Sequence, residues 1–250
     1  MEAATRERHS HSTNGAAAWE DRTRVFLTPI APPSILGLFG FAAATFIVAA
    51  HLAGWYGSTD TPLYLAPFCA MFGGVAQFAA GMFAYRARDG LATAMHGMWG
   101  SFWIAFGILN ILGAVGALAL DTQVFFDAFG YWFFALAAIT VCGALAALAE
   151  SLGLFAVLAT LATGSAFLAI GYLTNSAPEA GQGWLMAGGW VLVASAILAT
   201  YVAAAMMMEG TFGRVVLPLG KLKKRANVPG RAITVPLGYE SGEPGVRRGQ

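Results

Sequence analysis

Charge is what this sequence has least of. Only 11% of its 250 residues are Asp, Glu, Lys or Arg, where soluble domains carry about 25%. Together with 58% apolar residues and a mean hydropathy of +0.64, that scarcity excludes a water-soluble globule. Basic residues are missing between Arg24 and Arg86 and again between Arg88 and Arg214. No basic patch interleaved with aromatics exists, so nucleic acid is set aside as a partner. Cysteine is scarce too: Cys69 and Cys142 lie in apolar runs. Their spacing suits neither a metal site nor a disulfide framework, so they read as small helix-packing residues, and no cofactor or metal is implied. The first 29 residues lack an apolar core of signal-peptide length, so no cleaved leader is expected.

What is present is six apolar runs, each near the roughly 20 residues a bilayer-spanning helix needs: Ser34–Tyr56, Leu63–Tyr85, Leu91–Leu118, Val124–Ala149, Gly153–Leu173 and Gly183–Met207. The expected fold is an all-α membrane protein with six transmembrane helices per protomer. Residues 1–33 read as a disordered cytoplasmic arm with a Pro-rich entry, and 34–208 as the six-helix transmembrane domain. Residues 209–220 read as a membrane-edge segment, and 221–250 as a basic disordered cytoplasmic tail. Pro29, Pro32 and Pro33 break the backbone ahead of a helix start with Ser34 as its N-cap. His9 and His11 stand in the arm without further ligands and read as solvated tail.

The charges that do occur set the orientation. All fourteen Lys and Arg fall in the N-terminal arm, in the turn at Arg86 and Arg88, or from Arg214 onward. The loops after the first, third and fifth helices hold Asp60, Asp121 and Glu179 instead. Basic residues stay on the cytoplasmic side, so both termini are cytoplasmic and the helix number is even.

Counting residues from the inner helix ends places Phe41, Gln77, Trp99, Leu161 and Ala199 at one depth, about 11–13 Å above the inner boundary at 1.5 Å per residue. Shared depth fits a pore wall and equally fits ordinary bundle packing. Ionisable groups inside a membrane are costly and tend to be functional, and here they are few. Asp127 and Glu150 lie near helix ends and read as able to reach water. His51 sits near an outer end and His96 near an inner one, about 15–20 Å apart in depth, too far to share a metal or haem iron. His51 reads either as a gating or proton-sensing group at the outer mouth or as a hydrogen-bonded helix-end histidine. Gln77 carries an amide that needs a partner, either a neighbouring helix or water in the bundle. Thr140 and Ser101 read more weakly, because a hydroxyl can bond back to its own helix.

Several blocks, in order and at matching spacing, carry a family resemblance: LGLFGF at Leu36–Phe41, His51 with Gly54, GGVAQFAAGMFAY at Gly73–Tyr85, GSFW at Gly100–Trp103, LAIG at Leu168–Gly171 and FGRVVLPLG at Phe212–Gly220. Over roughly Ala31 to Gly220 the chain resembles the acetate uptake transporter family, which includes bacterial acetate–succinate permeases and fungal acetate and ammonia-export relatives. The resemblance implies a pore within each protomer, a homo-hexamer in the plasma membrane, and passage of short carboxylates. It also implies a hydrophobic constriction at Phe41, Trp99 and Leu161, with Ala199 as a small residue that influences substrate size. Three departures mark a divergent member. Pro32-Pro33-Ser34-Ile35-Leu36-Gly37 replaces the family's Asn-Pro-Ala-Pro-Leu-Gly, Trp99 replaces a Tyr, and Ala84 replaces a common Glu. The expected function is proton-linked transport of acetate-like monocarboxylates, with succinate as a further substrate. A channel or permease for another small solute such as ammonia, and a non-transporting membrane sensor or scaffold, are the alternatives.

Overall fold

The computed structural model describes residues 30–174 and 178–221; the readings made for the two polar tails, His9 and His11 included, lie outside them. Among the described residues, six helices are long and apolar enough to cross a membrane. They are α1 (Pro33–Leu52), α2 (Thr61–Ala87), α3 (Gly90–Ala114), α4 (Gln123–Ala147), α5 (Leu152–Leu173) and α6 (Pro178–Phe212). No strand occurs among the described residues.

Local chemistry sets the helix ends. Asp89, Thr122 and Ser151 cap α3, α4 and α5, their side chains accepting from the backbone N–H of Ala92, Phe125 and Leu154, which satisfies donors the first turn cannot. α1 begins differently from the expectation: Pro32 is the N-cap residue, Pro33 opens the helix, and Ser34 lies inside it without capping. A ring-fixed φ suits the first turn, where the missing N–H costs nothing. α1 also stops at Leu52, short of Tyr56; Gly54 and Gly57 adopt positive φ, and the Tyr56 hydroxyl turns back to donate to the Ile47 carbonyl at 2.7 Å. α6 runs longer than the apolar pattern, through Glu209 to Phe212.

α2 is not uniform. Thr61–Phe68 and Gln77–Ala87 are α-helical, while Cys69–Ala76 between them is π-helical. Pro67 sits just before it inside the helix, where it removes a backbone donor and crowds the preceding turn. The wider turn carries Gly73 and Gly74 against α1 and α3. A Cβ on Gly73 would stand 2.6 Å from both the Ala44 methyl and the Trp103 ring. Backbone packs on side chain here with nothing between.

Each helix packs beside the next, and α6 packs on α1, so the six form a ring. α2 and α3 approach closely, since a Cβ on Gly100 would meet the Phe78 backbone at 2.6 Å; small residues allow such approaches between membrane helices. α3 and α4 stand further apart, and aromatic rings fill the seam: Phe102 lies 5.4 Å from Phe133 and 6.3 Å from Phe129, centroid to centroid. Phe83, Ile111, Phe134 and Leu145 remain exposed on the outside, an apolar surface of the kind a lipid-facing bundle presents.

The chain after α6 folds back beneath α5. The N–H groups of Leu152 and Gly153 donate to the carbonyls of Gly220 and Leu219, both at 3.0 Å. The Tyr201 hydroxyl donates to the Pro218 carbonyl at 2.8 Å, and Lys221 pairs with Glu209 at 3.1 Å. Segment 213–221 is thus a strap across the inner end of the bundle, tied to α5 by two of its otherwise unpaired N-terminal donors.

Candidate functional site: two cavities parted by Trp99 and Leu161

Two cavities lie inside the ring. The inner one, about 60 Å³, is walled by Ser34, Phe41, Gln77, His96, Trp99 and Leu161 among others, with Asp89, Glu150 and Lys221 at its floor. The outer one, about 320 Å³, opens near His51 and Thr59 and is lined by Thr45, Trp103 and the ring cluster of α3 and α4. A water needs on the order of 10–15 Å³ of such space, so the inner cavity admits a solute of a few heavy atoms and the outer one considerably more.

Trp99 and Leu161 line both cavities and so form the partition between them. Phe41 meets Trp99 edge to face at 6.1 Å. Trp99 is held from the far side: its Nε1–H donates to Thr140 Oγ1 at 3.0 Å, and the Thr140 hydroxyl donates to the Leu136 carbonyl at 2.6 Å. That chain fixes the indole plane against α4, so its bulk stays in the partition. Phe41, Gln77, Trp99 and Leu161, singled out at one depth, thus meet at one cavity. Ala199 is fully buried and lines neither cavity. His51 stands apart at the outer cavity, its Nδ1 3.1 Å from the Tyr56 carbonyl.

The polarity of these spaces comes from a few atoms. Thr45 Oγ1, Gln77 Oε1, His96 Nδ1 and Trp103 Nε1 are buried without a hydrogen-bond partner among the described residues. Gln77 and His96 line the inner cavity, and Thr45 and Trp103 the outer. Leaving a buried donor or acceptor unpaired costs about 1–3 kcal/mol. Beside a cavity such atoms are hydrogen-bonding sites open to a polar solute.

The floor of the inner cavity departs from expectation. Glu150 is half-buried and Asp89 buried, and both line the cavity. Burial, and then the neighbouring Asp89 charge, push the Glu150 carboxyl up to about 7. Burial also raises Asp89, against the lowering effect of the Ala92 and Leu91 backbone N–H groups. Nothing in the apolar pattern signals that these two carboxyls, 61 positions apart (150 − 89), share a space.

Comparison with known proteins gives a consistent result. The sequence profile of the GPR1/FUN34/yaaH family matches residues 20–224. The succinate-acetate/proton symporter SatP of Escherichia coli K12 is 26% identical over 195 residues, 78% of this chain and 97% of that one. The acetate transporter protein patA of Aspergillus clavatus is 28% identical over 204 residues, 80% of this chain and 82% of that one. Ammonia transport outward protein 2 of Saccharomyces cerevisiae is 29% identical over 178 residues, 70% and 61% of the two chains. The solved structure of the bacterial acetate channel SatP superposes with a TM-score of 0.68, covering 76% of this chain and 99% of that one at 24% identity, a likeness of fold.

Proposed function

The chain belongs to the GPR1/FUN34/yaaH family, a multi-pass membrane protein of transporters and not an enzyme; from that premise we propose that it moves acetate-like monocarboxylates, with proton linkage, across the plasma membrane. The observation that carries this reading is the pair of stacked cavities parted by Trp99 and Leu161. A solute crossing the bundle must pass from a roomy outer space into a small inner one, between side chains that offer no charge. The partition therefore selects by size and by ease of desolvation.

An aliphatic carboxylic acid ionises near the Glu side-chain value of about 4.3, so roughly one molecule in five hundred is neutral at pH 7. The neutral form avoids the cost of bringing a bare carboxylate past apolar walls. It also offers one donor and two acceptors, which suits the orphaned atoms of Thr45, Trp103 and Gln77. Phe41, Trp99 and Leu161 are the constriction in this reading. Gln77 serves the solute below it, Ala199 tunes the packing behind it, and His51 is the group placed to gate or sense protons at the outer mouth. The working unit is a homo-hexamer with one pore per protomer and both termini cytoplasmic.

The test is uptake of radiolabelled acetate by proteoliposomes with pH set on each side. Saturable flux above empty vesicles, competed by propionate more than by ammonium, is expected. No flux above empty vesicles at any pH gradient would overturn the reading, and competition by ammonium alone would move the cargo to ammonia.

A further inference from the structure

Resting on the transport reading above, we propose that Glu150 is the group that takes the proton from the permeating carboxylic acid, at the floor of the inner cavity that it shares with Asp89, His96 and Gln77. Three observations converge there. The Glu150 side chain reaches the cavity from the α4–α5 turn, and Asp89 reaches it from the α2–α3 turn. The two carboxyls line one cavity, where burial first and the Asp89 charge second raise the Glu150 carboxyl. Gln77, 2% exposed, lines the same cavity with its Oε1 unpartnered. An amide oxygen without a donor accepts the O–H of a neutral acid and repels a carboxylate, so the cavity receives the solute still protonated.

The step is a proton transfer between carboxyl groups. The O–H bond of R–COOH breaks, an O–H bond forms on a Glu150 carboxylate oxygen, and R–COO⁻ is left as the anion. Lys221, a cation on the cavity wall, then stands beside a freshly formed anion at the exit to the cytoplasm. Glu150 afterwards loses its proton to water on that side and is ready for the next acid. A carboxyl held near neutrality can do both halves of this cycle, because acceptor and donor forms are then both populated.

The groups facing Glu150 come from every wall. Asp89 contributes negative charge from its turn, and His96 an imidazole from α3. The strap contributes Lys221, itself paired to Glu209 of α6. From α1 and α5 the polar residues lining the cavity are uncharged, Ser34 and Ser151. Arg88, beside Asp89 in the turn, has an interaction of its own and is not among the residues lining this space.

The test compares acetate tracer flux in proteoliposomes of the wild type, Glu150→Gln, Glu150→Asp and Asp89→Asn, with equal pH inside and outside. Dividing each rate by that of Glu150→Gln cancels the falling fraction of neutral acid. The wild-type ratio is expected to stay near one below about pH 6, where Glu150 is protonated like its amide, and to rise several-fold by about pH 8. Glu150→Asp keeps the rise. Asp89→Asn relieves the repulsion between the carboxyls, lowers the Glu150 midpoint and moves the rise to lower pH. A ratio flat across the range, or an Asp89→Asn curve that coincides with wild type, overturns the inference. Infrared spectra of the wild-type protein in nanodiscs supply a reading independent of flux. A protonated-carboxyl band that vanishes around pH 7 and is missing from Glu150→Gln supports the assignment, and its absence overturns it. Wild-type vesicles without flux would sink the transport reading instead, and the infrared titration tells the two failures apart.

Discussion

Thr140→Val tests whether the partition is held rigid by one hydrogen bond. The substitution keeps the β-branched shape but removes the Oγ1 that accepts from Trp99 Nε1 at 3.0 Å. Trp99 is 3% exposed, so the indole N–H loses its partner without gaining water. An orphaned buried donor costs about 1–3 kcal/mol. At about 1.4 kcal/mol per tenfold, the balance between the pinned ring and a turned one shifts roughly five- to a hundred-fold. Two readouts follow. Stability in mixed micelles should fall by about 1–3 kcal/mol, and in proteoliposomes butyrate flux should rise relative to acetate. Thr140→Ser keeps the hydroxyl and should behave as wild type in both. A double-mutant cycle with Trp99→Phe isolates the pair, because Phe has no N–H to orphan. A coupling energy of at least 0.5 kcal/mol is expected for residues in direct contact. A coupling of zero, with unchanged size preference in Thr140→Val, would refute the claim that α4 positions the partition.

Other consequences can be checked in the same system. Leu161→Ala joins the two cavities across the partition and should favour longer carboxylates in competition assays, at a stability cost of about 2–5 kcal/mol. Gly100→Ala puts a methyl 2.6 Å from the Phe78 backbone, which cannot move aside. It should lower the denaturation midpoint by more than Gly90→Ala, where a Cβ meets nothing within 4 Å. Ending the chain after Lys221 should leave acetate flux intact. Ending it after Arg214 removes the acceptors of Leu152 and Gly153 and should lower thermal stability and raise leak through the inner mouth.

Most of the frame was legible in the sequence because lipid leaves few options. Spans of about 20 apolar residues and cations confined to alternate loops dictate the helix number and direction. The common depth of Phe41, Gln77, Trp99 and Leu161 could be counted for the same reason, at one fixed rise per residue. What counting cannot give is direction around the helix or the path of the chain after it. Ala199 shares the depth and points into packing. Glu150 reads as a solvated end residue from its place in a turn, yet the strap and the α2–α3 turn close around it. Thr140 bonds back to its own helix, at the Leu136 carbonyl. That bond orients its oxygen toward a tryptophan 41 positions away, which no local pattern reveals.

The π-helical stretch at Cys69–Ala76 has a consequence for anyone who trims or swaps this helix. An α-helix advances about 100° per residue, and a π turn absorbs extra residues without advancing the following segment to match. The angular position of Gln77, first residue after the stretch, therefore depends on that surplus. Substitutions that force 69–76 into a regular α-helix at unchanged length would leave composition and span length nearly unchanged. They would also rotate Gln77, Gly81 and Ala84 by about 100°, carrying the amide off the cavity wall and its small neighbours off the α3 contact. Deleting the surplus residue together with the π turn would instead restore the phase. The irregularity acts as a phase setting between the outer and inner halves of α2. Chimeras that exchange the helix between relatives should transfer 61–87 as one piece.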